Sequence, residues 1–288
     1  MIPVSFDYAR VSSVDEALSA LADGGEDAKI LAGGQSLMPL LRLRLAYPST
    51  LVDVGPVAEL RGVREDGDAL VIGAMTTHHD IIADPLVREH CPVIAQATSL
   101  VADPAVRHRG TFGGALAHAD PAGDLPAVAL ALDATFTIAG PGGRRTVAAA
   151  DFFVDYLETA VGPDEILVEV RVPKLGAGWA GHYEKFNRVA QAWAIVAVCA
   201  VVRREGGSVA EARIGLTNMG PTPLRAIATE QALAGAASGG IEAAADLAAE
   251  GTSPAADLSA QPDYRQHLAR VLTRRALAHC LDSQPPGS

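Results

Sequence analysis

The chain has 288 residues, of which 49% are hydrophobic but only 5% aromatic. This apolar content excludes a disordered chain, and the length exceeds what one compact core comfortably fills, so two or three subdomains are expected. Acidic residues outnumber basic ones by 34 to 23, and the net charge of −11 argues against non-specific nucleic-acid binding, which needs a basic surface.

The first sixty residues predict an α/β unit. Ser13, with Glu16 three positions later, forms a capping box, and the glycines at 24 and 25 end the helix that it starts. A strand over 29–32 then runs into Gly33-Gly34. A helix over 37–42 and a strand over 51–54 complete the unit.

Beyond residue 57 strands and helices continue to alternate. Strands are predicted over 70–73, 134–138 and 166–172, and helices after the capping residue Thr77, over 92–100 and after the capping residue Asp124. A second glycine pair, Gly113-Gly114, is predicted to lie in a polar loop. Gly-rich stretches at 140–143 and 205–207 are typical of hairpin turns.

After a predicted linker over 176–181 the pattern changes. Three strands follow one another, over 183–188, 195–203 and 210–216, and helices follow over 222–233, 241–249 and 264–281. Strands followed by helices favour an α+β domain with helices on one face of a meander.

Targeting signals and cysteines bear on location. The N-terminus lacks the charged and apolar regions of a secretory signal, and no stretch approaches the ~18 apolar residues of a membrane span. Three scattered cysteines, with no Cys-x-x-Cys pair, are too few for an iron–sulfur cluster and fit a reducing cytoplasm.

Two glycine loops carry the candidate chemistry, one over 29–37 and the other over 109–124. Phosphate oxygens need clustered N–H donors, and a chain without Cβ atoms can approach them closely. Ser36 and Thr111 could add hydroxyl donors. Neither loop is a Walker A or a Gly-x-Gly-x-x-Gly motif, and either alone could be a tight turn.

Other candidate groups have simpler interpretations. His78 and His79 are adjacent on a helix and point about 100° apart, so they do not converge on one metal ion. His118 and Asp120 could form a general-base pair, but hydrogen bonding within the loop is favoured. Trp193 is interpreted as a core or interface residue.

The two loops, together with segments 72–77, 102–107, 163–167 and 214–218, resemble the FAD-binding medium subunit of molybdenum hydroxylases, the family of xanthine dehydrogenase and aerobic carbon monoxide dehydrogenase. The resemblance extends to about Leu281. It implies an α+β fold: a two-subdomain FAD-binding domain of the vanillyl-alcohol-oxidase (PCMH) type and a C-terminal α+β domain with a three-stranded sheet and helices. The implied boundaries are 1–56, 57–176 and 177–288.

The resemblance also implies a division of labour. This chain would carry FAD, with no catalytic residue or metal of its own, and pass electrons to an external acceptor. A large molybdopterin subunit would oxidise the substrate and a small subunit would hold two [2Fe–2S] clusters, in a cytoplasmic dimer of heterotrimers. The sequence of this chain does not identify the substrate or the electron acceptor. The alternatives are a self-sufficient flavin oxidoreductase, the medium subunit of a carbon monoxide dehydrogenase specifically, or a scaffold that has lost FAD.

The implied cofactor residues fall mainly in the two loops. The first loop would wrap the FAD diphosphate and part of the ring through Lys29, Ile30, Leu31, Ala32, Gly33, Gly34, Gln35, Ser36 and Leu37. The second would contribute Thr111, Gly113 and Gly114, with His118 and Asp124 near the cofactor. A Gly114→Val substitution is predicted to abolish FAD retention, because a Cβ would enter the diphosphate nest.

Three further positions complete the implied site. Ala102 and Leu167 fall where the family packs apolar residues against the flavin. Lys185 matches a basic residue at the polar edge of the ring. A cation there would favour the anionic reduced flavin and raise its potential.

Overall fold

The computed structural model describes residues 2–236 and 240–282, so the end of the predicted third segment, 283–288, lies outside the described residues. The N-terminal part is a parallel three-stranded sheet of order β1-β3-β2 with two helices. Its elements are β1 (Asp7–Arg10), α1 (Val14–Gly24), β2 (Lys29–Leu31), α2 (Leu37–Leu43) and β3 (Thr50–Asp53). Ser13 accepts a hydrogen bond from the Glu16 N–H, and Gly25 ends α1 at φ 70°, so the predicted caps are confirmed.

The middle part is an antiparallel five-stranded sheet of order β4-β5-β10-β6-β7, with helices packed against it. Its strands are β4 (Val63–Asp66), β5 (Ala69–Gly73), β6 (Thr135–Gly140), β7 (Gly143–Ala148) and β10 (Ile166–Pro173), with a separate small pair, β8 (Phe153–Asp155) and β9 (Glu158–Thr159). Its helices are α3 (His78–Ala83), α4 (Pro85–His90), α5 (Pro92–Ser99), α6 (Pro104–Arg107), α7 (Phe112–His118), α8 (Asp124–Ala131) and α9 (Ala149–Phe152).

Two local predictions in this part were wrong. Gly113 and Gly114 lie in the first turn of α7 rather than in a polar loop, because Thr111 caps that helix by accepting from the Gly114 N–H. Asp124 is the first residue of α8 rather than its cap, a position that Gly123 takes. The Asp124 carboxylate is therefore free to bond elsewhere.

The C-terminal part is an antiparallel sheet of order β11-β12-β13-β14 with three helices. Its elements are β11 (Trp179–Phe186), β12 (Val196–Glu205), β13 (Ser208–Thr217), β14 (Leu224–Arg225), α10 (Ile227–Leu233), α11 (Ile241–Asp246) and α12 (Pro262–Asp282). The two-residue β14 adds a fourth strand to the three predicted. Strand β11 begins at Trp179, inside the predicted linker, because Trp179 already pairs with Arg203.

Strand β12 joins this sheet to the rest of the molecule. Cys199 and Val201 belong to the core shared with α5 and α8, whereas Val198 and Ala200 pack in a second core with α12. A strand buried on both faces has no polar side, which explains the uninterrupted apolar run in the sequence.

Both predicted hairpin turns are confirmed. Gly140 pairs with Gly143, and Glu205 pairs with Ser208 across Gly206-Gly207. These last two glycines both have positive φ, at 58° and 86°, a conformation that side chains disfavour. Among the described helices none is long and apolar enough to cross a bilayer.

A candidate cofactor cavity between two glycine loops

A cavity of about 920 Å³ lies where the N-terminal and middle sheets meet the C-terminal sheet. Sixteen of the seventeen residues predicted to bind the cofactor line it: Lys29, Ile30, Ala32, Gly33, Gly34, Gln35, Ser36, Leu37, Ala102, Thr111, Gly113, Gly114, His118, Asp124, Leu167 and Lys185. Leu31 alone of the seventeen is outside this set. The fold therefore brings together positions that are more than 150 residues apart.

The first loop exposes backbone donors at the cavity. Across the described ranges 2–236 and 240–282, the N–H groups of residues 33–37 have no hydrogen-bond acceptor. The Ser36 hydroxyl makes no capping bond to α2 either. Gly34 has φ 73°, which turns the chain in a way that a side chain would disfavour. Five adjacent N–H groups without partners are suited to a multiply charged anion.

The second loop uses its donors internally. The Gly113 N–H donates to the Ala74 carbonyl at 2.9 Å, and the Ala115 N–H donates to the Thr111 carbonyl at 3.0 Å. The Gly114 N–H donates to the Thr111 hydroxyl oxygen at 3.2 Å. These three amides are therefore already bonded, and the Thr111 hydroxyl proton is the donor that this turn can still offer.

The glycines of the two loops are needed for packing of the protein itself. A Cβ on Gly33 would clash with the Arg109 carbonyl and lie 2.9 Å from Gly110 Cα, so the backbones of the two loops touch there. A Cβ on Gly113 would lie 2.6 Å from Ala74 Cα. A Cβ on Gly114 would lie 2.6 Å from the Thr111 hydroxyl oxygen. Gly114→Val is therefore expected to disrupt the Thr111 cap of α7 directly, before any effect of the new side chain on a diphosphate.

Two apolar positions of the cavity wall show unusual backbone geometry. Ala102 has φ 43°, and its carbonyl accepts from the Arg107 guanidinium at 3.0 Å. Leu167 is 5% exposed and stands at a register shift of β10 against β6. Left-handed non-glycine residues and bulges are concentrated at binding sites, because they re-aim single side chains.

A buried ion pair forms a polar part of the cavity wall. Lys185 Nζ lies 2.8 Å from Asp124 Oδ2, and each side chain is 4% exposed. Lys185 also donates to the Leu100 carbonyl at 3.0 Å, and the Tyr183 hydroxyl donates to Asp124 Oδ1 at 2.7 Å. Burial raises the pKa of Asp124, while Lys185 and Tyr183 act in the opposite direction. The lysine thus faces the cavity as half of an ion pair rather than as a lone cation.

His78 lies in the wall behind the second loop. It is 3% exposed, its Nδ1 has no partner among the described atoms, and burial lowers its pKa to about 4. Its backbone N–H donates to the Gly110 carbonyl at 2.9 Å. The neighbouring His79 instead stacks on His108 at a ring separation of 4.0 Å, so the two histidines point to different surroundings.

The remaining sequence candidates occupy the cavity rim. Asp120 Oδ1 accepts from the Ala122 N–H at 2.9 Å, which is hydrogen bonding within the loop, and Asp120 Oδ2 is 3.9 Å from His118 Nε2. Trp193 lines the cavity but is 56% exposed, so it is neither a core residue nor remote from the site. Tyr183 was missed by the sequence reasoning, although its spacing of two from Lys185 on a strand places both side chains on one face.

A group of potential metal ligands, His182, Glu184 and His279, lies on the other face of β11. His182 Nε2 is 3.1 Å from Glu184 Oε1, and His182 Nδ1 is 3.2 Å from Gln96 Nε2. Because Gln96 Oε1 accepts from the Tyr183 N–H, its amide nitrogen must face Nδ1. The neutral ring then carries its proton on Nε2, toward Glu184. A metal at this nitrogen would have to displace that proton and the hydrogen bond it makes.

The cavity fits the flavin dinucleotide that the resemblance implies. The unpartnered amides of residues 33–37 match the need of a diphosphate for several N–H donors, and Gly34 allows close approach. Apolar side chains such as Leu167 supply surface for a ring system, and the Asp124–Lys185 pair supplies polar contacts.

Comparisons with known proteins agree with this assignment. Residues 4–175 match the family described as the FAD binding domain in molybdopterin dehydrogenase, and residues 181–280 match the CO dehydrogenase flavoprotein C-terminal domain. The medium chain of carbon monoxide dehydrogenase from Hydrogenophaga pseudoflava is 44% identical over 96% of this chain and 97% of its own length. Subunit alpha of the 6-hydroxypseudooxynicotine dehydrogenase complex from Paenarthrobacter nicotinovorans is 38% identical over 99% and 98%.

A solved structure supports the same conclusion. Carbon monoxide dehydrogenase from Hydrogenophaga pseudoflava, in a form that lacks the Mo-pyranopterin moiety of its molybdenum cofactor, aligns with a TM-score of 0.95 and 46% identity, covering 97% of this chain and 98% of that one. The predicted fold class, an FAD-binding domain followed by an α+β C-terminal domain, is therefore confirmed. The chain belongs to the FAD-binding medium subunits of the molybdenum hydroxylases, within the group that resembles carbon monoxide dehydrogenase.

Proposed function

We propose that this chain relays electrons: it takes them from [2Fe–2S] clusters on a small partner subunit and passes them through FAD to an external acceptor. FAD supplies chemistry that connects one-electron and two-electron donors and acceptors. This chain cannot hold the clusters itself, because its three cysteines are all buried and lie apart in the sequence.

The unpartnered N–H groups of residues 33–37 carry the proposal. In this assignment they bind the FAD diphosphate together with the Ser36 hydroxyl. The remaining predicted contacts come from Thr111, His118, Ala102, Leu167 and the Asp124–Lys185 pair around the same cavity. The tight internal packing of Gly113 and Gly114 leaves them the role of shaping the second loop.

We further propose the three-part division at residues 56 and 176 and the assembly as a dimer of heterotrimers with a large molybdopterin subunit. The separate N-terminal, middle and C-terminal sheets support the division. The exposed apolar side chains of Leu43, Leu45 and Tyr47 support a partner surface, since isolated proteins seldom expose such neighbours together. Three free, buried thiols support a cytoplasmic location.

Flavin reduction in two preparations tests the relay. In the isolated chain, bound FAD should be reduced by dithionite but by none of the candidate substrates. In the co-expressed three-subunit complex, the correct substrate should reduce it. A yellow isolated chain that oxidises substrate unaided would establish the self-sufficient alternative, and a chain that cannot be loaded with FAD would establish the scaffold alternative.

A more specific candidate is the medium subunit of a carbon monoxide dehydrogenase. The similarity to the Hydrogenophaga pseudoflava medium chain and its solved structure favours it. The complex purified from the source cells should then reduce its flavin under carbon monoxide. Reduction by an N-heterocycle or an aldehyde but not by carbon monoxide would reject this candidate and leave the relay intact.

A further inference from the structure

Tyr183 lies directly behind the ion pair of the cavity wall. It is 2% exposed and does not line the cavity, yet its hydroxyl donates to Asp124 Oδ1 at 2.7 Å. Asp124 Oδ2 accepts from Lys185 Nζ at 2.8 Å. Each carboxylate oxygen thus has one strong donor, and both donors come from the same strand.

The backbone that carries the Tyr183 side chain is held by β12 and by α5. The strand places Tyr183 and Lys185 on one face of β11, and Tyr183 pairs with Cys199 of β12 across the sheet. The Tyr183 N–H donates to Gln96 Oε1 at 3.0 Å, which ties the strand to α5. A donor held this firmly determines which way the carboxylate of Asp124 turns.

The energetics of burial make the second donor important. A buried carboxylate is stable only when its oxygens are hydrogen-bonded, and removing one partner of a buried pair costs far more than the pair contributes. The charged and hydrogen-bonding groups that act on Asp124 are Lys185 and Tyr183, while Cys199 and Thr217 act on Tyr183 itself. Without the tyrosine hydroxyl, Asp124 Oδ1 would lose the donor that the described residues provide for it.

We propose that Tyr183 is a positioning residue for the cofactor site: its hydroxyl holds the Asp124 carboxylate against Lys185, so that the lysine charge at the cavity wall is compensated. This rests on the proposed FAD site. A compensated lysine exerts little net field on bound FAD, whereas a free one stabilises negative charge on it. Tyr183 therefore keeps the potential of the flavin lower than the lysine alone would set it.

The test compares Tyr183→Phe with the control Tyr156→Phe, whose side chain is exposed and does not line the cavity. In Tyr183→Phe we expect the midpoint potential of bound FAD to shift upward and FAD affinity to fall about tenfold, as for loss of one hydrogen bond to a charged group. The crystal structure of the FAD-free variant should show the Asp124–Lys185 contact lengthened beyond 4 Å. Tyr156→Phe should match the wild type in all three measurements.

A double-mutant cycle with Asp124→Asn shows whether Tyr183 acts through Asp124. The single Asp124→Asn variant should also raise the potential, and adding Tyr183→Phe to it should shift the potential no further. Additive shifts, or an unchanged potential with an intact ion pair in Tyr183→Phe, would overturn the proposal. A wild-type chain that binds no FAD would instead reject the proposed function, and the FAD-free crystal structures would still decide the role of Tyr183.

Discussion

The two glycine loops have similar sequences but opposite hydrogen-bonding states. Both place a glycine pair beside a hydroxyl residue, Ser36 in one and Thr111 in the other. The N–H groups of residues 33–37 have no partner among the described residues, whereas Gly113 and Gly114 donate to the protein. The first loop therefore has backbone donors available for a ligand, whereas the amides of the second loop bond within the protein. A glycine pair in the sequence thus indicates that another group lies close to the backbone, but it does not show whether that group belongs to a ligand or to the protein.

The contact between the loops should be the most sensitive point. Gly33→Ala places a Cβ against the Arg109 carbonyl and 2.9 Å from Gly110 Cα, where backbone cannot yield cheaply. We expect FAD affinity to fall at least 100-fold, about 3 kcal/mol, because the donor loop is displaced. Flavin fluorescence titration measures the loss.

Gly142→Ala is the matched control for this prediction. Gly142 lies in a hairpin turn with no atom within 4 Å of the added Cβ. Its FAD affinity should equal that of the wild type. Wild-type affinity in Gly33→Ala as well would show that the loops do not depend on each other.

Gly113→Ala should separate folding from binding. Its Cβ would lie 2.6 Å from Ala74 Cα, so we expect the free energy of unfolding to fall by about 3 kcal/mol, as for an overpacked core. FAD affinity of the folded protein should change less than threefold, since the Gly113 amide is already bonded to Ala74. Denaturant titration of the FAD-free chain measures the first quantity. Unchanged stability with lost FAD would mean that this amide binds the diphosphate.

Most of the turns, caps and loops could be predicted from local sequence, but the different hydrogen-bonding roles of the two glycine loops could not. The capping box at Ser13, the hairpin glycines and the first glycine loop depend on neighbouring residues, and each was correctly located, whereas Gly113 and Gly114 lie in a helix rather than in the predicted loop. The amide of Gly113 is satisfied by Ala74, about forty positions away, and the Tyr183–Asp124 bond spans 59 positions. Such partners depend on how strands and helices pack, which no local pattern encodes.

The sequence also located Lys185 without revealing its electrostatic state. The family resemblance placed both Lys185 and Asp124 near the cofactor, but it did not pair them, and the local sequence predicted only that Asp124 caps a helix. Only the packing of α8 against β12 and β13 brings that carboxylate to the lysine. The net charge that a lysine brings to a site therefore cannot be predicted until its ion-pair partner is known.

Protonation of His78 should lower the free energy of unfolding of the chain. Burial lowers the pKa of His78 from its ordinary value of 6.5 to about 4 in the folded chain, so between these values the unfolded chain binds more protons. Stability is therefore lost as the pH falls from about 6.5, and the loss reaches about 3 kcal/mol near pH 4. Denaturant titrations of the FAD-free chain over this range measure it.

Two histidine variants isolate this effect from other titrating groups. His78→Asn should flatten the dependence of stability on pH relative to wild type, whatever its own stability. His79→Asn, at an exposed neighbouring position, should keep the full slope. If the free energy of unfolding depends on pH equally in both variants, His78 does not cause the loss of stability at low pH.

The two hydroxyl residues provide the smallest and most selective contrast between the loops. Thr111→Val removes the oxygen that accepts from the Gly114 N–H, so the unfolding free energy should fall by about 1 kcal/mol, as for loss of a helix cap. Ser36→Ala removes a hydroxyl that makes no cap bond, so stability should stay constant while FAD affinity falls severalfold. Denaturation and FAD titration of both variants give four values. If Ser36→Ala changes stability and Thr111→Val changes chiefly FAD affinity, the roles of the two loops are reversed, because the hydroxyl that stabilises the fold and the hydroxyl that binds FAD would then have exchanged places.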